Sequence, residues 1–555
     1  LNARKNSAGV MDYAAMLNSD RQIQALSAKD RATATMGLNW RNLGPANIGG
    51  RTRAILIDKN DPTHNTIFAG GVSGGLWKSV NGGASWDSIN DNLSNICVSS
   101  IAQDSSGNIF IGTGEGFAVS GYPTGQGFSC GIIGGGMFES TDDGLTFKIL
   151  PKTVPTPNSD GVAWAYINRI AVLPTNPLVI YAATNTGLMI SQDGGANFAS
   201  ATNMAGIKLA SVTLDVKISA DGAIVVACIN GAAYYAYTAT SLTKFSQMHN
   251  TGLGSIPNGA RIEFATAPSN PNFIYASVVN YSSTACLVGI YMTMNAITDG
   301  NGGYWHDIGP GGSKSFDPYS SGGVQDQGTY DNTIGVYPNN PGKVLVGGTT
   351  LYSWEQNSPT DSVGSWTSIT TYYGYPGDPT YIHPDEHAIV FDKNNANVVY
   401  SGSDGGVYKS TNGGKSFADM DRNYNVTQFY AIAFAPYVTK SGEGVMGGTQ
   451  DNGTPYMGGA SSFYPKDAVD LSGGDGGQCA ISSINPNAYY VSADFNSLMR
   501  SANLGATGSP GNAYTNTKGL NKGADIDSVQ ALGTGCFVDP IALYENSYDT
   551  TTLDQ

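Results

Sequence analysis

The chain has 555 residues, a formal charge of −15, 73 glycines, 31 tyrosines and only 13% charged residues. That acidity excludes binding to nucleic-acid backbones, which need a basic surface, and disfavours anionic membranes. No apolar run approaches the roughly 20 residues that span a bilayer, and so much glycine fits many short strands with tight turns better than helices.

Residues 1–38 stand apart: Met11, Ala14, Ala15, Leu17, Ile23, Leu26 and Ala28 form an imperfect helical stripe, which predicts a helical or partly disordered lead-in. The chain begins at Leu1 without a signal-peptide pattern, which we read as a processed or trimmed product. Period-2 patterning starts at Trp40, and residues 39–555 read as repeated four-stranded units. In the first unit the strands are expected at 51–57, 66–70, 75–79 and 85–89.

One turn formula recurs down the chain: Ser, any residue, Asp or Asn, any, Gly, two of any, then an aromatic. It appears as Ser79-Asn81-Gly83-Trp86, Ser140-Asp142-Gly144-Phe147, Ser191-Asp193-Gly195-Phe198 and Ser410-Asn412-Gly414-Phe417. The Asx side chain accepts from backbone N–H groups one and two residues on, Gly supplies a left-handed conformation, and the aromatic wedges between sheets. A motif copied around the chain cannot define a single active site, so these residues are read as structural.

Second strands near Ile67, Ile109, Ile180, Val225, Ile274, Val344, Val398, Val445 and Tyr489 count nine units, most of them spaced by roughly 42–54 residues, the period of propeller blades. Insertions fall at 116–136, 280–285, 298–303 and 350–381, and a tenth, incomplete unit is expected at 529–543. The prediction is an all-β propeller of about nine to ten blades, in one large ring or in two. Chain length favours one large or incomplete assembly. The six cysteines suit an oxidising compartment, and sequential pairing (Cys97 with Cys130, Cys228 with Cys286, Cys479 with Cys536) is the expectation.

The turn formula is that of Asp-boxes, or bacterial neuraminidase repeats, and from Trp40 to about Leu543 the chain resembles the sortilin-like and xyloglucanase-like group of Asp-box propellers. Within that group NLGPANIGGRTRAI (42–55), GGVSGGLWKS (70–79), HPDEHAI (383–389), SGSDGGVYKS (401–410), GGTQDNGT (447–454) and GGDGGQCAISSINP (473–486) are similar to segments of large cargo proteins of the type IX secretion system in Bacteroidota. The resemblance implies export to the cell surface, with export machinery and further domains of the same chain as partners.

In a four-stranded meander the loops between first and second strands share a face with the Ser-x-Asx turns. The opposite face then collects Arg51, Arg53, Glu115, His383, Asp385, Glu386, His387, Asp404, Gln450, Asp451, Asn452 and Asp475. Glu115, Asp385, Asp404, Asp451 and Asp475 are the candidate acids of a two-carboxylate glycoside hydrolase. Tyr372, Tyr373, Tyr375 and Tyr381, with His383, His387, Gln450 and Asn452, are candidate ligand contacts. His383-Pro-Asp-Glu-His387 formally matches the HxxEH pattern of zinc peptidases, but Pro384 and the strand-like AIVF that follows oppose the helix this chemistry needs. A hydrogen-bonded entry to the next unit is preferred there over a loop metal site. A sialidase needs a trio of arginines around a carboxylate, whereas Arg51, Arg53, Arg169, Arg261, Arg422 and Arg500 are scattered.

No cofactor is required on this reading, and calcium is compatible with the Asp- and Asn-bearing loops. The leading expectation is a propeller that binds a glycan or protein through one face without catalysis. The alternatives are a xyloglucanase-like hydrolase and a passive scaffold of a longer exported protein.

Overall fold

The structure, a computed structural model, describes residues 42–89, 95, 97–117, 132–155, 161–281, 286–311, 316–319, 327–370, 378–439, 442–457, 466–485, 488–493, 497–501, 515–516, 538 and 541–545, together with Gln22. The N-terminal lead-in and almost all of the tenth unit therefore lie outside the described residues. No helix among the described residues is long and apolar enough to cross a membrane.

The described residues form nine sheets, eight of four antiparallel strands and one of five that includes a single parallel pair. The first sheet runs Thr52–Ile57, Ile67–Gly71, Gly75–Ser79 and Asp87–Ile89, within two residues of the expected bounds. Burial falls outward across the first three sheets. Second strands such as Ile67–Gly71, Ile109–Thr113, Ile180–Thr184 and Ile224–Ile229 are buried at every position, because a neighbouring sheet covers each face. Fourth strands such as Asp87–Ile89 and Ala418–Asp419 are short and exposed. The fifth strand, Thr202–Asn203, pairs parallel with Lys244–Phe245 and clips the third sheet's exit to the edge of the fourth.

The first strands of the first seven sheets are Thr52–Ile57, Val98–Gln103, Ile167–Val172, Thr213–Ile218, Arg261–Thr266, Thr333–Val336 and Glu386–Asp392. Each touches the next, and the last touches the first, so these sheets close a ring. At the seam, Ile55, Ile67, Ala69 and Trp86 of the first sheet share a core with Ala388, Tyr400 and Val407 of the seventh. The eighth sheet (Ala433–Thr439, Gly442–Met446, Pro455–Met457, Ala468–Asp470) packs on the ninth (Gly476–Ile481, Tyr489–Ala493, Ser497–Ser501, Thr515–Asn516). Residues 46–47 tie this pair to the ring: Ala46 N donates to Lys466 O, Asn47 bonds Ala468 in both directions, and Asn423 N donates to Ala46 O. Among the described residues, seven sheets thus close a ring and two more form a pair beside it. Length argued only against two complete rings, and a second body of two sheets costs little chain.

The Ser-x-Asx turns differ in one detail from the expectation. Ser79 Oγ accepts from Gly83 N (2.9 Å) and donates to Asn81 Oδ1 (2.8 Å), which in turn accepts from Ser85 N (3.0 Å), four residues on rather than one or two. The turns at Ser140, Ser191 and Ser410 repeat this network. Gly144, at φ +76°, curls the chain far enough for that reach, and a Cβ there would sit 2.5 Å from the Phe68 ring. Each aromatic wedges against the preceding sheet. Phe147 joins Phe68 and Leu76, Phe198 shares a core with Phe110 and Met137, and Phe417 packs with Leu345 and Leu351. Trp86 obeys the same rule only because the seventh sheet precedes the first around the ring; its Nε1 donates to Met420 O at 2.7 Å.

Cys228 carries a free thiol, so the pairing with Cys286 is not formed. The two sit in different cores, one between the fourth and fifth sheets and one between the fifth and sixth. Cys97 and Cys479 are likewise buried and free, and their sequential partners Cys130 and Cys536 lie outside the described residues. Burial pushes the Cys228 thiol up to about 12, so it stays protonated and unreactive.

Candidate functional site

Turns and site occupy opposite ends of the sheets. Gly82 N bonds Asn65 O, Gly194 N bonds Leu178 O and Gly413 N bonds Asn397 O, so three of the four Ser-x-Asx turns are tied to the loop between first and second strands of their own sheet or to the start of its second strand. At the other end, the entries to first strands and the second-to-third loops converge.

Arg51, which enters the first sheet, is the hub. Its guanidinium lies 3.2 Å from Asp404 Oδ1, 3.6 Å from Asp451 Oδ2 and 3.7 Å from Glu115 Oε2, and it donates to Tyr330 OH at 2.6 Å. Arg53, one strand-face repeat further along, bonds Glu115 Oε1 at 2.8 Å and lies over the rings of Tyr330 and Phe117 at 4.3 and 4.5 Å. Tyr330 OH donates to Glu115. Burial alone would raise the Glu115 carboxyl, but Arg53 and Arg51 outweigh it and hold the group below its usual range.

The seventh and eighth sheets bring the other acids. Asp404, in the second-to-third turn of the seventh sheet, is 2.5 Å from His387 Nε2. Asp451, in the equivalent turn of the eighth, brings its carboxyl close enough to Asp404 for the two to shift each other's proton affinity. Burial, then the Asp404 charge, pushes Asp451 up to about 7 despite Arg51. Asp385 precedes the seventh sheet and accepts from Gln327 Nε2 at 3.2 Å; burial and Asp404 raise its carboxyl well above the usual range. Asp385 (φ 69°) and Asp451 (φ 61°) both hold left-handed backbone, a conformation that costs energy outside glycine and gathers at functional sites.

The remaining sequence candidates fall around this core. Asp475 Oδ1 accepts from Asp451 N at 3.1 Å, and Asn452 Nδ2 donates to Asp404 O at 3.0 Å. Gln450 lies beside them, its backbone N bonded to Gln428 O. The His383 ring sits 2.8 Å from Asp451 O and 3.0 Å from Pro384 O. HPDEH is a loop running into the strand Glu386–Asp392, so no zinc-peptidase helix exists, and His383 is not grouped with His387 around a common point. Tyr381 is half-buried against Tyr408, ring centroids 6.4 Å apart, rather than standing as an open platform. Tyr372, Tyr373 and Tyr375 lie outside the described residues.

Gln327, Tyr330 and Asp331 were missed by sequence reading, yet they precede the sixth sheet's first strand just as Arg51 and Asp385 precede the first and seventh. That shared position was the available signal. Farther around the ring, inner-strand residues Arg169, Asp215, Lys217, Arg261 and Glu263 form a second, internally paired network. Arg169 and Lys217 both reach Asp215 and Glu263 at 2.5–3.1 Å, and Arg261 Nη1 donates to Tyr330 O at 2.6 Å, joining the two networks. The scattered arginines thus gather in part, though around carboxylates of the protein itself.

No family model matches this chain, and no curated protein matches it in sequence. Among solved structures it is similar to the GH74 xyloglucanase from Xanthomonas campestris, with 14% identity over 84% of this chain and 68% of that one, at a TM-score of 0.55. Weaker likenesses include a GH74 enzyme from Niastella koreensis (16% identity, 84% and 79% covered, TM-score 0.38) and YCF48 from Cyanidioschyzon merolae (12%, 67% and 98%, TM-score 0.40). At such identity the first likeness speaks for fold alone: the chain is a β-propeller of the xyloglucanase-like type.

Proposed function

We propose that this chain is an exported, polysaccharide-acting glycoside hydrolase with Asp451 as its proton donor. One observation carries the reading: Asp404 of the ring and Asp451 of the adjoining sheet pair face each other across the junction, with Asp451 partly exposed and poised near 7. A general acid must hold its proton at working pH while touching solvent or substrate, and two carboxyls pushed together by burial supply that condition. Asp475 flanks Asp451, accepting from its backbone N, and is the water-activating carboxylate on this reading, whereas Asp385 is held protonated by burial and Asp404. The fold-level likeness to a xyloglucanase supports the substrate class by analogy.

The test is reducing-end release from a panel of soluble plant and microbial glucans, xyloglucan included, by the full chain and by Asp451→Asn, Asp385→Asn and Asp475→Asn. Asp451→Asn should lower kcat by about 100-fold or more on natural glycans and far less on aryl glycosides, whose leaving groups need no proton. Release that Asp451→Asn leaves intact would end this assignment.

A second reading, a propeller that binds a glycan or protein without catalysis, draws on the saturation of Arg51 by three internal carboxylates. On that reading the panel yields binding without release, and the carboxylate variants change stability more than affinity.

A further inference from the structure

His387 lies between two carboxylates and is bonded well to only one. Its Nε2 is 2.5 Å from Asp404 Oδ1, while its Nδ1 is 3.4 Å from Asp331 Oδ1. The side chains of His387 and Asp331 are wholly buried, and His387 Nδ1 and both Asp331 oxygens have no hydrogen-bond partner among the described residues. With Nε2–H donating to Asp404, the neutral ring turns a bare nitrogen lone pair towards Asp331. Two lone-pair-bearing atoms held together out of water repel unless something positive lies between them.

A proton would draw the two atoms to roughly 2.7–3.0 Å. The observed 3.4 Å is instead the separation of two ligand atoms on one ion with bonds of roughly 2.0–2.1 Å at a near-tetrahedral angle. The ligand atoms of Asp331, His387 and Asp404 all fall within 4.8 Å of one another. Crowding of carboxyls points the same way. Glu115, Asp331, Asp385, Glu386, Asp404 and Asp451 gather here against Arg51, Arg53 and Arg261, and both carboxylate oxygens of Glu386 also lack partners among the described residues.

We propose that Asp331 and His387 Nδ1 hold a divalent transition-metal ion of the zinc class, with Asp404 as the outer carboxylate that orients the imidazole. Mixed imidazole and carboxylate donors suit zinc better than calcium, and a carboxylate accepting the far N–H of a ligating histidine is a recurrent arrangement. Asp331 belongs to the entry of the sixth sheet, whereas His387 and Asp404 belong to the seventh. The ion therefore clamps two neighbouring sheets beneath the acidic mouth and leaves Asp451 outside its ligand set.

The full chain, stripped by dialysis against a chelator, is titrated with Zn2+ and separately with Co2+. Bound metal is read by elemental analysis, the Co2+ site by its visible absorption, and stability by thermal melting. The wild type should keep about one ion after desalting, melt higher with it, and give a Co2+ spectrum. Asp331→Asn, which preserves volume, should weaken binding by at least about tenfold, as should His387→Gln. Wild-type protein that retains no metal would overturn the proposal, with or without folded variants. So would uptake that Asp331→Asn leaves unchanged, or a protonated-carboxyl infrared band that Asp331→Asn removes without any change in metal content.

Discussion

Replacing Arg51 by Met tests whether the acidic mouth is held by one guanidinium. Arg51 is 13% exposed, and its three carboxylate partners, Glu115, Asp404 and Asp451, are 3%, 7% and 23% exposed. At 3.2–3.7 Å each attraction is on the order of 4–5 kcal/mol for an effective dielectric of about 20, and desolvation opposes most of it. Removing one partner of a buried pair strands the others, so the expected loss near pH 7.5 is about 3–5 kcal/mol.

The loss should depend on pH in a defined direction. Glu115 is depressed in the folded protein, so its contribution is complete above the unfolded Glu value of about 4.3 and lost as pH falls through the folded one. Asp451 is raised to about 7 by burial and Asp404, so it takes up a proton between about pH 7.5 and about pH 5 and no longer needs Arg51; Asp404 is raised as well, by burial. Urea midpoints of wild type and variant, measured near pH 7.5 and near pH 5, should therefore lie closer together at the lower pH. Equal gaps at both, or a gap below about 1 kcal/mol near pH 7.5, would refute the role assigned to Arg51.

Other expectations follow from single contacts. Trp86→Ala opens the ring seam and should cost about 3–5 kcal/mol, read by denaturant melts, with Trp86→Phe costing less but losing the bond to Met420 O. Gly144→Ala should cost more than Ser140→Ala, whose lost bonds are worth about 0.5–1.5 kcal/mol, because the new methyl meets both a left-handed backbone and Phe68. Alkylation of the unfolded but unreduced chain should label Cys228, detected by peptide mass; labelling only after reduction would contradict the free thiol. If Asp451 donates the proton, kcat should fall as pH rises through about 7, and an alkaline limb displaced far above that would point to another acid.

The repeat was legible because turn chemistry is local: Ser, Asx, Gly and the aromatic each act within eight residues, so spacing alone located four of the turns and the strands they join. Placement of Glu115, Asp404 and Asp451 on one face followed from meander geometry without any contact information. Closure at the seventh sheet was not legible, because it depends on the angle between sheets, which no spacing encodes. Tyr330 and Asp331 were hidden for a related reason. They carry no turn signature and matter only through neighbours such as Glu115, which lies 215 residues away in the chain. The pairing of Cys228 with Cys286 failed because even counting says nothing about depth, and these two side chains fill different cores between sheets.

The seam at Trp86 also has a meaning in time. Each of the seven sheets is made from one continuous stretch of chain, but Trp86 receives its cap from Met420, 334 residues later. At a synthesis rate of roughly 5–20 residues per second, the first sheet waits about 20–70 s with Ile55, Ile67 and Trp86 uncovered. The newborn first sheet thus carries a large apolar face with no native partner yet made, and it is the place where a holding chaperone has most to protect.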